Sequence, residues 1–352
     1  MVCIVFDMIC GINKYSTPKN LYFDAQFHSI DDFIVEEVLP DGTILSLENP
    51  MIKPSGLPGL FTHFVLVKRN IDSFSVIRIL SRRLRIPPHM VMLSGLKDKE
   101  AITVQRGCIF GVDPNDLMNL KLPPKIRIFS PIRELRRLHI GSHWGNRFRL
   151  CLREISGNTD SVIDVASGSQ LLNFFGHQRF GIWKPISHIS GKMIIQRRYM
   201  DALEIFLRET NPLFERRDEL LELIADEDYT SALRIIPRRG FYVERLILHR
   251  LRKYESPIRA LASMPRYLIR IIVESYQAFL FNVTLGYISD DTSVPNKIPI
   301  IGYGTDLSHY DHHVRACIKD VLSIENIEPK EFKKDFLPRL IARGGLRRTT
   351  FR

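Results

Sequence analysis

Ser94-Gly95-Leu96-Lys97-Asp98-Lys99-Glu100-Ala101-Ile102-Thr103-Val104-Gln105 is the stretch on which the reading of the first half turns. Val91–Leu93 before it and Ile102–Phe110 after it are apolar and β-branched, so the whole reads as strand, tight turn, strand. Gly95 permits a sharp turn and close backbone approach. Asp98 then stands at the tip between two lysines, whose ammonium groups favour its ionised, nucleophilic form. A charged hairpin tip with no chemistry is the competing reading of the same residues.

Outward from that hairpin, Asp32-Phe33-Ile34-Val35-Glu36-Glu37-Val38 and Phe61–Val67 alternate or run apolar and predict further strands. Asp72 or Ser73 can cap a helix carrying Phe74, Ile77, Leu80 and Leu84, which Pro87-Pro88 ends. Arg147–Leu152 alternates again. After Pro185 the texture changes: Tyr199–Arg208, Arg217–Ala225, Asp228–Ile235, Phe241–Lys253 and Arg266–Ile288 all carry a helical period, and no strand run of equal strength follows until about Ile298. A boundary near residue 184 is therefore expected, between a strand-rich and a helix-rich half.

Charge is distributed unevenly over the 352 residues, whose formal net charge is +11. Residues 1–67 hold three Lys/Arg against eight Asp/Glu, residues 121–153 nine against one, and residues 330–352 eight against two. Pro123, Pro124, Pro131 and Gly141 exclude an amphipathic membrane helix for the middle block, so an RNA or DNA backbone is the expected partner and a solvated surface the alternative. Five scattered cysteines without a CxxC pair suit neither a disulfide framework nor a zinc site and fit a reducing compartment. The opening MVCIVFDMIC lacks a basic n-region and is broken by Asp7, and Leu268–Ile288 is interrupted by Arg270 and Glu274. A cytoplasmic chain with no membrane span is expected.

Two further segments carry polar groups in suggestive company. Asn173-Phe174-Phe175-Gly176-His177-Gln178-Arg179-Phe180-Gly181 combines amide, ring, glycine and guanidinium, the pieces for a splayed nucleotide, or equally a loop with two core phenylalanines. Glu274-Ser275-Tyr276-Gln277-Ala278-Phe279-Leu280-Phe281-Asn282 reads by itself as core packing. His309, His313 and Cys317 share i, i+4 spacing, which would suit a metal if one helix carried all three; a solvated helix start with ordinary histidines is the simpler reading.

In that order, GLKDKEAITVQ, NFFGHQRFG and SYQAFLFN resemble the three signature segments of the TruD-type tRNA pseudouridine synthases, and DDFIVEEV resembles that family's D-F-x-V-x-E element. The likeness runs from about residue 30 to the C-terminus. It implies an α+β fold: a mixed, largely antiparallel catalytic sheet over residues 1–183, with a mainly helical insertion domain from 184 to 352. It implies a tRNA-modifying isomerase that turns a uridine, in the D-arm and of position-13 type, into pseudouridine, as a monomer without metal or organic cofactor. Asp98 matches the family's nucleophile, Phe33 its substrate-contacting phenylalanine and Asn173 its nucleotide-contacting asparagine; Lys97, Gln105 and Arg179 fall within the same signatures as substrate-binding candidates. Two departures stand out. Phe27, His28, Ser29 and Ile30 precede Asp31 where the family usually carries a lysine. After Gly344-Gly345-Leu346-Arg347-Arg348 the family's returning strands and aromatic motif are expected to be missing, which leaves an impaired RNA-binding relative as the alternative.

Overall fold

The computed structural model describes residues 2–15, 23–168, 171–181, 185–208, 214–238, 240–289, 294–333 and 342–351. Two compact units result: Tyr22–Thr159, and Met1–Leu21 together with Asp160–Arg352.

The first unit is built on strands β1 (Phe23–Gln26), β2 (Phe33–Val38), β3 (Phe61–Arg69), β4 (Val91–Leu93), β5 (Ile102–Phe110), β6 (Ile126–Glu134), β7 (Gly145–Leu150) and β8 (Arg153–Gly157). Six form one sheet in the order β6-β3-β5-β2-β7, with β4 also on β5. Only β2 and β5 run parallel; the other pairs are antiparallel, so the sheet is mixed and largely antiparallel as expected. β1 and β8 form a separate antiparallel pair.

Each face of the sheet has its own cover. Helix Ser73–Leu84, capped by the Asp72 carboxylate accepting from the Ser75 N–H at 2.8 Å, lays Val76 and Leu80 on Phe64, Leu66 and Ile109. On the opposite face Leu45 and Leu47 pack over Ile34, Val65, Val67, Ile102 and Val104. Gly107 sits where a Cβ would lie 2.4 Å from the Phe64 ring, so no larger residue fits between β5 and that core.

The second unit is mainly helical. Tyr199–Arg208, Arg217–Ala225, Tyr229–Ile235, Tyr242–Tyr254 and Arg266–Ile288 follow the periodic segments of the sequence. Ser187–Ile195 and His312–Glu325 are additional. Ser187–Ile195 escapes a periodicity argument because seven of its nine residues are buried, Ser187, His188, Ser190 and Gly191 among them. At Gly191 a Cβ would lie 2.4 Å from the Ile272 carbonyl, so glycine lets this helix cross Arg266–Ile288 closely. That long helix is apolar and long enough to cross a bilayer, yet it supplies Ile269, Ile272, Tyr276, Leu280, Phe281 and Leu285 to the unit's core.

Short strands complete this unit: β9 (Leu171–Leu172), β10 (Lys297–Ile300), β11 (Gly345–Arg348) and β12 (Thr350–Phe351). β10 pairs with β11 and β9 with β12, both antiparallel. The textural boundary near residue 184 falls at 182–184, outside the described residues, whereas the compact units divide between Thr159 and Asp160. Residues 171–181 belong with the helices because Phe174, Phe175 and Phe180 pack on Cys10, Ile12, Ala278 and Phe279.

Candidate active site

Asp98 lies half-buried on the turn joining β4 to β5, and the turn is fastened from several sides. Ser94, Gly95 and Lys97 point inward, while Leu96, Lys99 and Glu100 are exposed. Glu37 of β2, wholly buried, accepts from Ser94 Oγ, from the Arg106 N–H at 3.3 Å and from Arg106 Nε at 3.0 Å. Lys97 Nζ donates to Asn146 Oδ1 of β7 and lies 3.9 Å from Glu37 Oε2. Its N–H donates to Ser73 Oγ at 3.2 Å. The residues between β6 and β7 cross beside the turn, with the Gly141 N–H on the Ser94 carbonyl at 2.8 Å. Of the two lysines flanking Asp98, Lys97 is thus engaged with Glu37 and Asn146, and only Lys99 is free to meet solvent or a phosphate. Among the described residues no group hydrogen-bonds the Asp98 carboxylate itself. The backbone around it is fixed and its oxygens are left available.

Beneath the turn lies Lys68 of β3, fully buried, its Nζ donating to the Asp98 carbonyl. Thr103 pairs with Lys68 and Gln105 with Leu66, so both β5 side chains share that face. Thr103 Oγ1 and both amide atoms of Gln105 are buried without a hydrogen-bond partner among the described residues, unused polar capacity on the face that carries Lys68. Burial pushes the Lys68 ammonium down to about 8; Asp98 and Asp72 oppose the shift and Lys97 adds to it. A depressed lysine pKa means that the fold disfavours the charged form. The cost is felt in full below pH 8 and relieved as pH rises toward the unfolded value of about 10.4. Wild-type stability should gain roughly 3 kcal/mol from this group across that window. Lys68→Met should show no such gain in urea melts taken at neutral and alkaline pH; a variant melting curve with the same pH dependence would assign the effect to another group.

On the same face of β2 and β7, aromatic rings stand in a row. Phe33 lies between Phe27 (centroids 6.0 Å, 15° between planes) and Phe148 (6.1 Å, 21°). The arginines that alternate with them are paired. Arg147 reaches Glu36 at 2.6 Å, Arg153 reaches Asp32 at 2.8 Å, and Arg149 binds Glu48. The acidic N-terminal block thus neutralises three of the nine basic residues of 121–153. Arg133 is likewise paired with Asp113 at 3.2 Å. Lys125, Arg127, Arg136 and Arg137 have no carboxylate partner among the described residues.

In the helical unit, Asn173 is held at both ends of its amide. Its Nδ2 donates to the Arg348 carbonyl at 2.9 Å, and its Oδ1 accepts from Arg347 at 2.8 Å. Its N–H donates to the Thr349 carbonyl at 2.7 Å. The Arg347 guanidinium lies over the Phe175 ring, 3.8 Å from its centroid. Arg179 binds Glu274 at 3.0 Å, which ties the second signature to the third. Gln277 donates to the Ile301 and Arg343 carbonyls, and Asn282 clasps the Cys10 carbonyl and both backbone groups of Phe175. The third signature is core packing with buried polar ties. Phe33, Lys97, Asp98 and Gln105 belong to the sheet unit; Asn173 and Arg179 belong to the helical one.

His309 precedes helix His312–Glu325 and pairs with Asp306 at 3.4 Å, so it does not share a helix face with His313 and Cys317. Among the described residues no group of three or more His, Cys, Asp or Glu is arranged to hold a metal ion.

Sequence reasoning passed over Lys68, Glu37 and Asn146. The signal for the first two was present: a charged residue inside an otherwise apolar strand must find a partner or a task.

An α+β molecule with a mixed sheet, a fastened carboxylate turn and a helical unit matches a crystal structure from Methanosarcina mazei described as a TruD protein. That match has a TM-score of 0.73 at 23% identity, and covers 97% of this chain and 87% of the other. "Probable tRNA pseudouridine synthase D" of Methanococcus vannielii is 31% identical over 94% of this chain and 87% of its own length. "Probable tRNA pseudouridine synthase D 1" of Methanocaldococcus jannaschii is 30% identical over 93% and 86%. The family model for tRNA pseudouridine synthase D (TruD) matches residues 11–292. The chain is an isomerase of the pseudouridine synthase class. It belongs to the TruD family.

Proposed function

We propose that this protein isomerises a uridine in the D-arm of tRNA to pseudouridine, with Asp98 as the nucleophile and the sheet unit as the catalytic domain. The observation that carries the reading is the Asp98 carboxylate, unbonded among the described residues on a turn tied to Glu37 through the Ser94 hydroxyl and to Ser73 and Lys68 through its backbone. The reaction breaks the C1′–N1 bond and forms a C1′–C5 bond, and the C5 proton leaves while N1 gains one, so atoms balance without a redox partner. A carboxylate can assist departure of the base at C1′ or by removing a ribose proton; both routes need it ionised. The base must leave its stack, and half-buried Phe33 offers it a ring. Lys97 acts as a positioning residue through Asn146 and Glu37. Asn173 and Arg179 hold the second signature together; contact with the nucleotide would use the faces their internal bonds leave open.

The test is incubation of the purified chain with an unmodified tRNA transcript, followed by carbodiimide treatment and primer extension. A new stop in the D-arm supports the reading, and a stop elsewhere moves the target. Arg136→Ala/Arg137→Ala removes two cations without carboxylate partners from the residues beside the turn. It should weaken tRNA binding and lower the slope of log K against log salt by about 1–2. An unchanged slope would return that block to ordinary solvated surface.

A further inference from the structure

Trp144 is 77% exposed, an unusual position for the largest apolar side chain, and nothing in the catalytic reading uses it. It stands one residue before β7, and its N–H donates to the Val38 carbonyl at 2.8 Å, which continues the β2–β7 ladder. Trp144, Asn146, Phe148 and Leu150 therefore occupy alternate positions along one edge strand. Asn146 holds Lys97, the neighbour of Asp98. Phe148 stacks on Phe33, and Phe33 on Phe27; Phe148 and Phe27 are 53% and 52% exposed.

We propose that the exposed rings of Trp144, Phe148 and Phe27 form a stacking track for the unpaired nucleotides that flank the target uridine, with half-buried Phe33, between Phe148 and Phe27, left to the target base. The proposal rests on the tRNA reading above and adds how the substrate strand is gripped. Three observations select single-stranded RNA as the occupant. The rings are large, flat and exposed, and a nucleobase of any identity can stack on them. The arginines interleaved with them, Arg147 and Arg149, are bound to Glu36 and Glu48, so the edge offers rings rather than free cations. The row passes Asn146, placing the candidate nucleophile beside the track rather than at its end. A paired helix keeps its bases stacked inside and could not use such rings.

The chain has two tryptophans, Trp144 and Trp183, so Trp183→Phe leaves Trp144 as the sole indole reporter. In that background a single-stranded oligouridine should quench indole emission saturably, and an RNA duplex of equal length should not. Quenching should persist at about 0.5 M KCl, where contacts that depend on phosphate charge have largely been lost. In steady-state assays on tRNA transcript, Trp144→Ala and Phe148→Ala should each raise KM about tenfold with kcat within about twofold, and Trp144→Phe should restore most of the loss. Equal quenching by duplex and single strand overturns the track, as does an unchanged KM in both alanine variants. Emission that ignores RNA but shifts with protein concentration also overturns it and marks the edge as a self-association surface. The two readings fail separately. Oligouridine quenching without any turnover leaves the track standing and removes the catalytic assignment; turnover without quenching does the reverse.

Discussion

Asp98→Asn is expected to fold, to bind tRNA with near wild-type affinity and to form no detectable pseudouridine. The substitution keeps the volume and planar shape of the side chain and removes its charge and nearly all its nucleophilicity. No described residue hydrogen-bonds the carboxylate, so the exchange breaks no internal bond, while the Asp98 carbonyl keeps its tie to Lys68. A nucleophile knockout of this kind lowers turnover by about a thousandfold or more. Carbodiimide primer extension reads the product and filter binding reads the affinity. Neighbouring positions sharpen the result. Glu100→Ala, on the exposed outer side of the same turn, should change little, whereas Lys97→Ala strips Asn146 and Glu37 of a partner and should lower kcat. Full activity in Asp98→Asn would move the nucleophile elsewhere. An inactive wild-type chain that still binds tRNA would favour an RNA-binding role.

Much of the sheet unit was legible because its strands are rich in β-branched residues and bounded by turns, and because Asp72 and Pro87 bracket the covering helix. The active-site turn was legible as a turn; its fastening was not. Glu37 is one of two adjacent glutamates in a strand, and nothing local separates it from Glu36. The fold does: Glu36 faces Arg147 and the Leu47 N–H, while Glu37 faces Ser94 and Arg106 on the opposite side. Alternation assigns the two to opposite faces, but only the sheet order reveals what each face meets.

The charge blocks were legible only in outline, for a related reason. Nine basic residues over 121–153 read as facing phosphate throughout until the acidic block is seen to hold three of them. Antiparallel pairing of β2 with β7 brings Glu36 opposite Arg147, and Glu48 and Asp32 hold Arg149 and Arg153, which leaves the other cations of the block, Arg133 apart, to face outward partners. Asn173 carries the same lesson over a longer range. Its amide is held by Arg347, 174 residues away, a contact that no local pattern announces.

Glu37→Leu is the substitution with the largest expected effect on stability. The carboxylate is wholly buried and serves Ser94, Arg106 and Lys97 at once. Leucine fills the volume but leaves the Arg106 guanidinium and the buried Lys97 ammonium without their anion. Breaking such a cluster from one side costs about 3–5 kcal/mol, a large share of the total stability of a domain. Urea denaturation of the isolated variant should show that loss as a lower midpoint with the slope preserved. Removing the stranded cation as well should recover part of it, so Glu37→Leu/Arg106→Leu should be more stable than Glu37→Leu alone, with a coupling of about 1–3 kcal/mol. Activity should not recover with stability, because Ser94 and Lys97 would still lack the acceptor that holds the Asp98 turn in place. A double variant that regained both would reduce Glu37 to a charge balance for Arg106. One that regained stability alone would mark the buried carboxylate as the anchor of the catalytic turn.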